Sequence, residues 1–194
     1  MNKIHDSENL GTLSSASAEL VTAQAFGAGI GGKRNLQLSP ALVRDKIILP
    51  VLEGLGEPEH TCVQAMELLL GTAATESHMG LYLRQLGGGP ALGLWQIEPD
   101  TEWDVWNNYL SFRPELRKIV QGWQKGTNRE MEWNHSYSCA IARLIYKRVP
   151  SPLPPAGNLE AQAHYWKNHF NTRMGKGTPE KYMKDWRELV EGKI

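Results

Sequence analysis

The chain carries no excess of charge: Lys plus Arg number 21 and Asp plus Glu number 21 in 194 residues. A balanced chain exerts no general pull on nucleic acid or on an anionic membrane surface, so neither is an expected partner. No apolar run approaches the roughly 20 residues that cross a bilayer. The first twenty residues, "MNKIHDSENLGTLSSASAEL", lack the continuous apolar segment of a secretory signal, and any export is expected to use another route. Cysteine is scarce. Cys62 and Cys139 form neither a zinc motif nor a disulfide framework, and each sits in a helical apolar pattern that suits a buried thiol. His164 and His169 are five residues apart and do not share a helix face. Glu160, at helical spacing from His164, does not complete a ligand set, so no metal is expected. No organic cofactor is implied either. Gly27, Gly29 and Gly32 match a dinucleotide fingerprint by letter only, because no strand precedes them and no clear helix follows.

Helical pattern fills most of the remainder. Residues 1–38 are rich in Ser, Ala, Gly and Thr and read as an N-terminal extension or docking arm. Residues 39–194 read as one mostly α domain, long enough for a real core. Ser39-Pro40 is a helix start, with Ser at the cap and Pro in the first turn. Pro50 then predicts a kink or a break. "PEHTCVQAMELLLGTAATES" is a second helix, with Val63, Met66, Leu70 and Ala73 on one face. Residues 80–101 hold glycines, a proline and short apolar pieces, which predicts a loop with at most a small β-hairpin. Further helices are expected over "EPDTEWDVWNNYLS", "RPELRKIVQGWQ", "NHSYSCAIARLIYKRV", "NLEAQAHYWKNHFN" and "TPEKYMKDWRELVEG". The third of these has the broadest apolar face and is expected at the centre. Seven tryptophans are present. Most are expected to pack in the interior, although an indole face can also stack on a sugar ring.

One constellation carries chemistry. Glu76 ends the apolar second helix. The negative end of the helix dipole and partial burial both disfavour a carboxylate there, so its proton affinity should rise. A carboxyl that is still protonated near neutral pH can give its proton to a glycosidic oxygen. Behind it comes "GGGPALGLWQIEP", whose glycines permit close backbone approach to a ligand. Trp95 could pack a sugar. Gln96 could bond an acetamido group or orient the loop. Glu98 offers a second carboxylate, and two carboxylates flanking one bond is the usual need of glycoside hydrolysis. Arg84-Gln85 could line the cleft or anchor the loop.

These residues resemble a known group. "ESHMG" followed by "GLWQIEPDT" is similar to the lysozyme-like superfamily that includes lytic transglycosylases and goose-type lysozymes. The matching residues are Glu76-Ser77, then Gly93-Leu94-Trp95-Gln96-Ile97, with Trp95 where the family usually has Met. Pro99-Asp100-Thr101 resembles the transglycosylase ending, and Glu98 stands where goose-type enzymes carry an Asp. A weaker match is "HYWKNHFN". The family has Ala-Tyr-Asn-Ala-Gly there, and its Tyr contacts the catalytic Glu. Phe170-Asn171 aligns best but cannot supply that hydroxyl, so either Tyr165 substitutes or the contact is missing.

The resemblance implies a lysozyme-like α+β fold with a small irregular or β segment after the catalytic helix. It implies cleavage of the β-1,4 bond between N-acetylmuramic acid and N-acetylglucosamine in peptidoglycan glycan strands, with Glu76 as general acid and base. Ser77, Gly93, Leu94, Trp95, Gln96, Tyr165, Phe170 and Asn171 would contact substrate. Glu98 would serve a hydrolytic route, and the Pro-x-Thr ending favours the transglycosylase route. The overall pattern resembles virion-associated proteins of tailed phages, which implies a virion location and contacts to tail or ejection proteins through residues 1–38. The alternative is a tail or ejection structural protein with this fold and little or no activity.

Overall fold

The computed structural model describes residues 37–171 and 175–194. The arm proposed for residues 1–38 therefore lies outside the described residues up to position 36. Its last two positions belong to the helical body: the Leu38 N–H donates to the Met79 carbonyl at 2.8 Å, and Leu38 packs against the core.

Three segments follow one another without a break, Pro40–Val43, Arg44–Ile48 and Leu49–Gly54, and form the helical run α1. Ser39 caps it without a side-chain hydrogen bond. Pro50 does not break it. Arg44–Ile48 is a π turn in which the Leu49 N–H reaches back to the Arg44 carbonyl, five residues away. The wider turn shifts the carbonyl ladder before the proline, which has no N–H to donate and would crowd an ordinary turn.

Helix α2 is Glu59–Ser77. Every residue from Leu68 to Thr75 is buried. The expected face is corrected at one end: Val63 is 49 % exposed. The first turns of α2 lie at the surface, while its second half is enclosed by neighbours. Gly71 permits one close approach, since a Cβ there would lie 2.0 Å from the Tyr182 hydroxyl. The remaining helices are α3 (Pro99–Asn108), α4 (Pro114–Trp123), α5 (Glu130–Trp133), α6 (His135–Lys147), α7 (Leu159–Trp166) and α8 (Pro179–Leu189). A π turn, Lys167–Asn171, prolongs α7. Asn134, Asn158 and Thr178 cap α6, α7 and α8 through side-chain oxygens that accept the N–H of Tyr137, Ala161 and Lys181. Such caps satisfy amides that the helix itself leaves free.

Helix α6 is buried from Tyr137 to Tyr146, so it shares the centre with α2. Among the described residues the protein is mostly α and has no β-strand. The expected β segment reduces to two isolated bridges, Arg84 with Leu92 and Leu92 with Ile97. Three glycines in a row, Gly87 to Gly89, interrupt side-chain pairing and leave too few residues for a ladder. No described helix is long and apolar enough to cross a membrane. Cys139 is buried as expected, Cys62 is half-buried, and both are free thiols.

Candidate active site

Two consecutive residues at the end of α2 point to different parts of the fold, as the roughly 100° step of a helix requires. Ser77 is fully buried. Its Oγ donates to the Leu94 carbonyl at 2.7 Å, with the Ala73 carbonyl at 3.1 Å, and accepts the Gly80 N–H at 2.9 Å. It is a clip between α2 and the turn at 93–96 and offers nothing to a substrate. The chain leaves α2 through two non-glycine residues in left-handed geometry, His78 (φ 49°) and Met79 (φ 55°). Each costs about 1–2 kcal/mol. Burial of Met79, 1 % exposed, offsets this.

The turn itself is built from its interior side. Leu94 and Trp95 are fully buried. The Trp95 indole N–H donates to the Leu69 carbonyl at 3.0 Å, so this ring is committed to the core and presents no face to a sugar. The expected substrate contact is corrected for both residues, because the turn curls its apolar side chains under α2. Gly93 is also interior, with φ +79°, and a Cβ there would lie 2.1 Å from the Met131 carbonyl oxygen. Gln96 is half-buried at φ 44°. Its Nε2 donates to the Tyr82 and Gly93 carbonyls at 3.1 and 2.8 Å, so it orients the loop. Glu98 is exposed at the cap position of α3 and makes no side-chain cap bond. The tryptophans with exposed faces are Trp103 (62 %) and Trp133 (49 %), and the other five lie in the core or against it.

The Gly93 geometry gives a direct test. Gly93→Ala is expected to destabilise the fold by roughly 3 kcal/mol or more, combining left-handed strain with a backbone clash. Gly88 has φ +81° but nothing within 4 Å of an added Cβ. Gly88→Ala should therefore cost only about 1–2 kcal/mol. Urea unfolding of the two variants measures the difference.

Glu76 faces the other way. Its Oε1 accepts the Trp166 indole N–H at 3.0 Å. Trp166 is fully buried and stacks on Tyr182 at a centroid distance of 5.5 Å. Gly177 leaves room for that ring, since a Cβ there would lie 2.3 Å from it. The carboxyl is half-buried by its own exposed surface yet crowded by neighbours on most sides. Burial pushes its pKa up from 4.5 to about 7, against the Trp166 bond and the Lys181 charge, and Asp185 adds to the rise. Lys181 and Asp185 form a pair at 2.6 Å, and the Lys181 Nζ also donates to the Thr75 carbonyl at 2.7 Å. The indole N–H is donor only. Oε1 therefore acts as an acceptor in this bond. A carboxyl anchored through one oxygen, with its pKa raised to about 7, is suited to general acid catalysis near neutral pH.

Trp166, and not Tyr165, makes this contact, which corrects the sequence expectation. The Tyr165 hydroxyl donates to the Ser151 carbonyl at 3.0 Å, and its ring packs on His169 at 4.5 Å. Phe170 packs on Tyr146 at 5.3 Å. The Asn171 Oδ1 accepts from the Lys167 Nζ at 2.9 Å. One step along α7 turns the side chain by about 100°, away from α2. The signal was available in the spacing, because Leu159, Gln162, Ala163 and Trp166 form one helical face. Among the described residues no group of His, Cys, Asp and Glu could hold a metal. The chain matches no protein-family model, no curated protein and no solved structure.

Trp166→Phe removes the N–H and leaves an apolar ring. Since the bond holds the Glu76 pKa down, its loss should move any alkaline limb of a pH–activity profile to higher pH. The smaller ring should also cost about 1–3 kcal/mol of stability. A profile that keeps its position would show that the indole does not govern the carboxyl.

Proposed function

We propose that this protein cleaves peptidoglycan glycan strands, with Glu76 as the general acid and base. The observation that carries the reading is the Glu76 carboxyl, held by Trp166 and pushed to about 7 at the end of α2. The resemblance of "ESHMG" and "GLWQIEPDT" to the lysozyme-like group supplies the substrate class and a lysozyme-like fold. Exposed Glu98 has no cap bond to fix it, which favours the route that needs one carboxylate. Glu76 gives its proton to the glycosidic oxygen as the bond from C1 of the muramyl residue breaks. The muramyl 6-hydroxyl then bonds to C1, and its proton passes to Glu76. The product is a 1,6-anhydro end, and the carboxyl is restored.

We extend the reading to a virion-associated protein of a tailed phage that opens the wall locally during entry. A second reading, a tail or ejection structural protein with little or no activity, has one observation in its favour. Ser77, Leu94 and Trp95 are buried, so the matched motif would be kept by a protein that retained only the fold. Digestion of purified peptidoglycan with mass analysis of the products separates the cases. Anhydro ends are expected. Reducing ends would replace the transfer route with hydrolysis, and no products would favour the structural role.

A further inference from the structure

We propose that the groove between Arg84 and Arg129 is a carboxylate-binding subsite for the peptide carried by a glycan strand. The proposal rests on the peptidoglycan reading above and extends it to the peptide. The groove is open to solvent and offers about 480 Å³, and its walls include Arg84, Gln85, Gly88, Leu92, Pro99 and Arg129. That volume falls in the range of small-ligand sites, roughly 300–1,000 Å³.

Its charge is concentrated and accessible. The Arg84 side chain is 63 % exposed and that of Arg129 is 44 % exposed. Both hold one carboxylate: Arg84 Nε lies 2.8 Å from Glu132 Oε1, and Arg129 Nη2 lies 3.3 Å from Glu132 Oε2. Glu132 thereby fixes two cations beside one groove while neutralising only one of them. Each guanidinium has five N–H donors. One contact apiece leaves most of both forks for a second carboxylate, the group whose geometry they match.

The walls are braced. The Gln85 Oε1 accepts the Ala91 N–H at 3.2 Å across the loop. Arg129 is held at φ 58°, directly before α5. A non-glycine residue there stores about 1–3 kcal/mol of strain. Leu92, in the groove wall, is bridged to Ile97. The turn between them is the one that Ser77 clips to the end of α2, which fixes this wall against the helical body.

An acidic edge disfavours a polyanionic occupant. Glu98 and Asp100, both exposed, flank the lining residue Pro99. A phosphate polymer would meet two like charges at that edge. A single peptide carboxylate, seated at the arginines, need not.

The test uses the full chain with Glu76→Gln, so that ligand is bound and not turned over. Three probes are titrated by calorimetry: a disaccharide with its stem peptide, the same disaccharide with the peptide removed, and a phosphate-polymer fragment. The peptide-bearing probe should bind about tenfold or more tightly than the bare one, as one charge-assisted pair allows. Arg84→Ala with Arg129→Ala should abolish that difference and leave bare-glycan affinity unchanged. Should the double variant misfold, Glu132→Gln serves instead: it frees both forks and should tighten the peptide-bearing probe only. Equal affinity for the two disaccharides would overturn the subsite and leave the cleavage reading standing. Tightest binding of the phosphate polymer would overturn the choice of ligand. Failure to bind either disaccharide would overturn the cleavage reading together with the subsite.

Discussion

Glu76→Gln is expected to abolish cleavage and, at alkaline pH, to make the protein more stable. Loss of a general acid lowers turnover by roughly 10²–10⁴-fold. The stability gain follows from the direction of the shift. The folded carboxyl titrates at about 7 against an ordinary 4.5. Below 4.5 it is neutral in both the folded and unfolded chains, and burial costs nothing extra. Between 4.5 and 7 the unfolded chain ionises freely while the fold must keep the proton, so stability falls as pH rises. Above 7 the loss is complete. Each tenfold change in proton affinity is about 1.4 kcal/mol, which gives a loss of about 3 kcal/mol. Screening by solvent at a half-buried group trims this to about 1–3 kcal/mol. Glutamine keeps an oxygen for the Trp166 N–H and has no proton to lose. Urea unfolding should therefore show the variant about 1–3 kcal/mol more stable at pH 8 and indistinguishable at pH 4. Equal stability of both proteins at both pH values would mean that Glu76 is not shielded, and the general-acid argument would fail with it.

The position of this carboxyl was legible because two local patterns meet there: an apolar helix that ends, and glycines that follow. Its partner was less legible. Reading "HYW" by residue type selects Tyr165, whereas the phase of α7 selects Trp166. The turn at 93–96 was found in sequence but misassigned in role. Short-range pattern shows that a turn exists. It does not show which side chains roll inward, and Trp95 rolled into the core against Leu69, 26 residues away. Pro50 was legible as an irregularity, although the helical run continues through it. A proline removes one hydrogen bond, but a π turn just before it supplies the slack, and no residue type announces a π turn. The caps at Asn158 and Thr178 act within three residues of their partners, and that kind of chemistry is the most readable from sequence. Glu57 lies at the other extreme. In sequence it is one acid in "GEPEH", the link before α2. In the fold it is the counter-ion of a buried cation 86 residues away.

Glu57→Gln should accordingly be among the most destabilising single changes outside the candidate site, by about 3–5 kcal/mol. The Glu57 side chain is 2 % exposed and that of Arg143 is 6 % exposed, with Arg143 Nη2 3.0 Å from Glu57 Oε2 and Lys147 Nζ 2.6 Å from Oε1. Arg143 has no other described partner for its Nε and Nη1. Removing the carboxylate charge leaves a guanidinium that can neither lose its proton nor reach bulk water. Burial alone would raise the Glu57 pKa, but the Lys147 bond and the Arg143 charge outweigh it and hold the carboxyl below its ordinary value. The sign is opposite to that of Glu76. A depressed carboxyl contributes stability above its unfolded value of 4.5, and that contribution is lost as pH falls through the lower folded value. Acid therefore attacks the clip between the α1–α2 link and α6, while alkali burdens Glu76. From these two groups, stability of the native chain should peak near pH 4.5 and decline on either side, the upper limb being complete above about 7. Glu57→Gln should flatten the acid side of that profile, and Glu76→Gln should flatten the alkaline side. Unfolding curves for the two variants across pH 3 to 9 test both limbs, and an acid limb unchanged in Glu57→Gln would show that the buried pair is not its source.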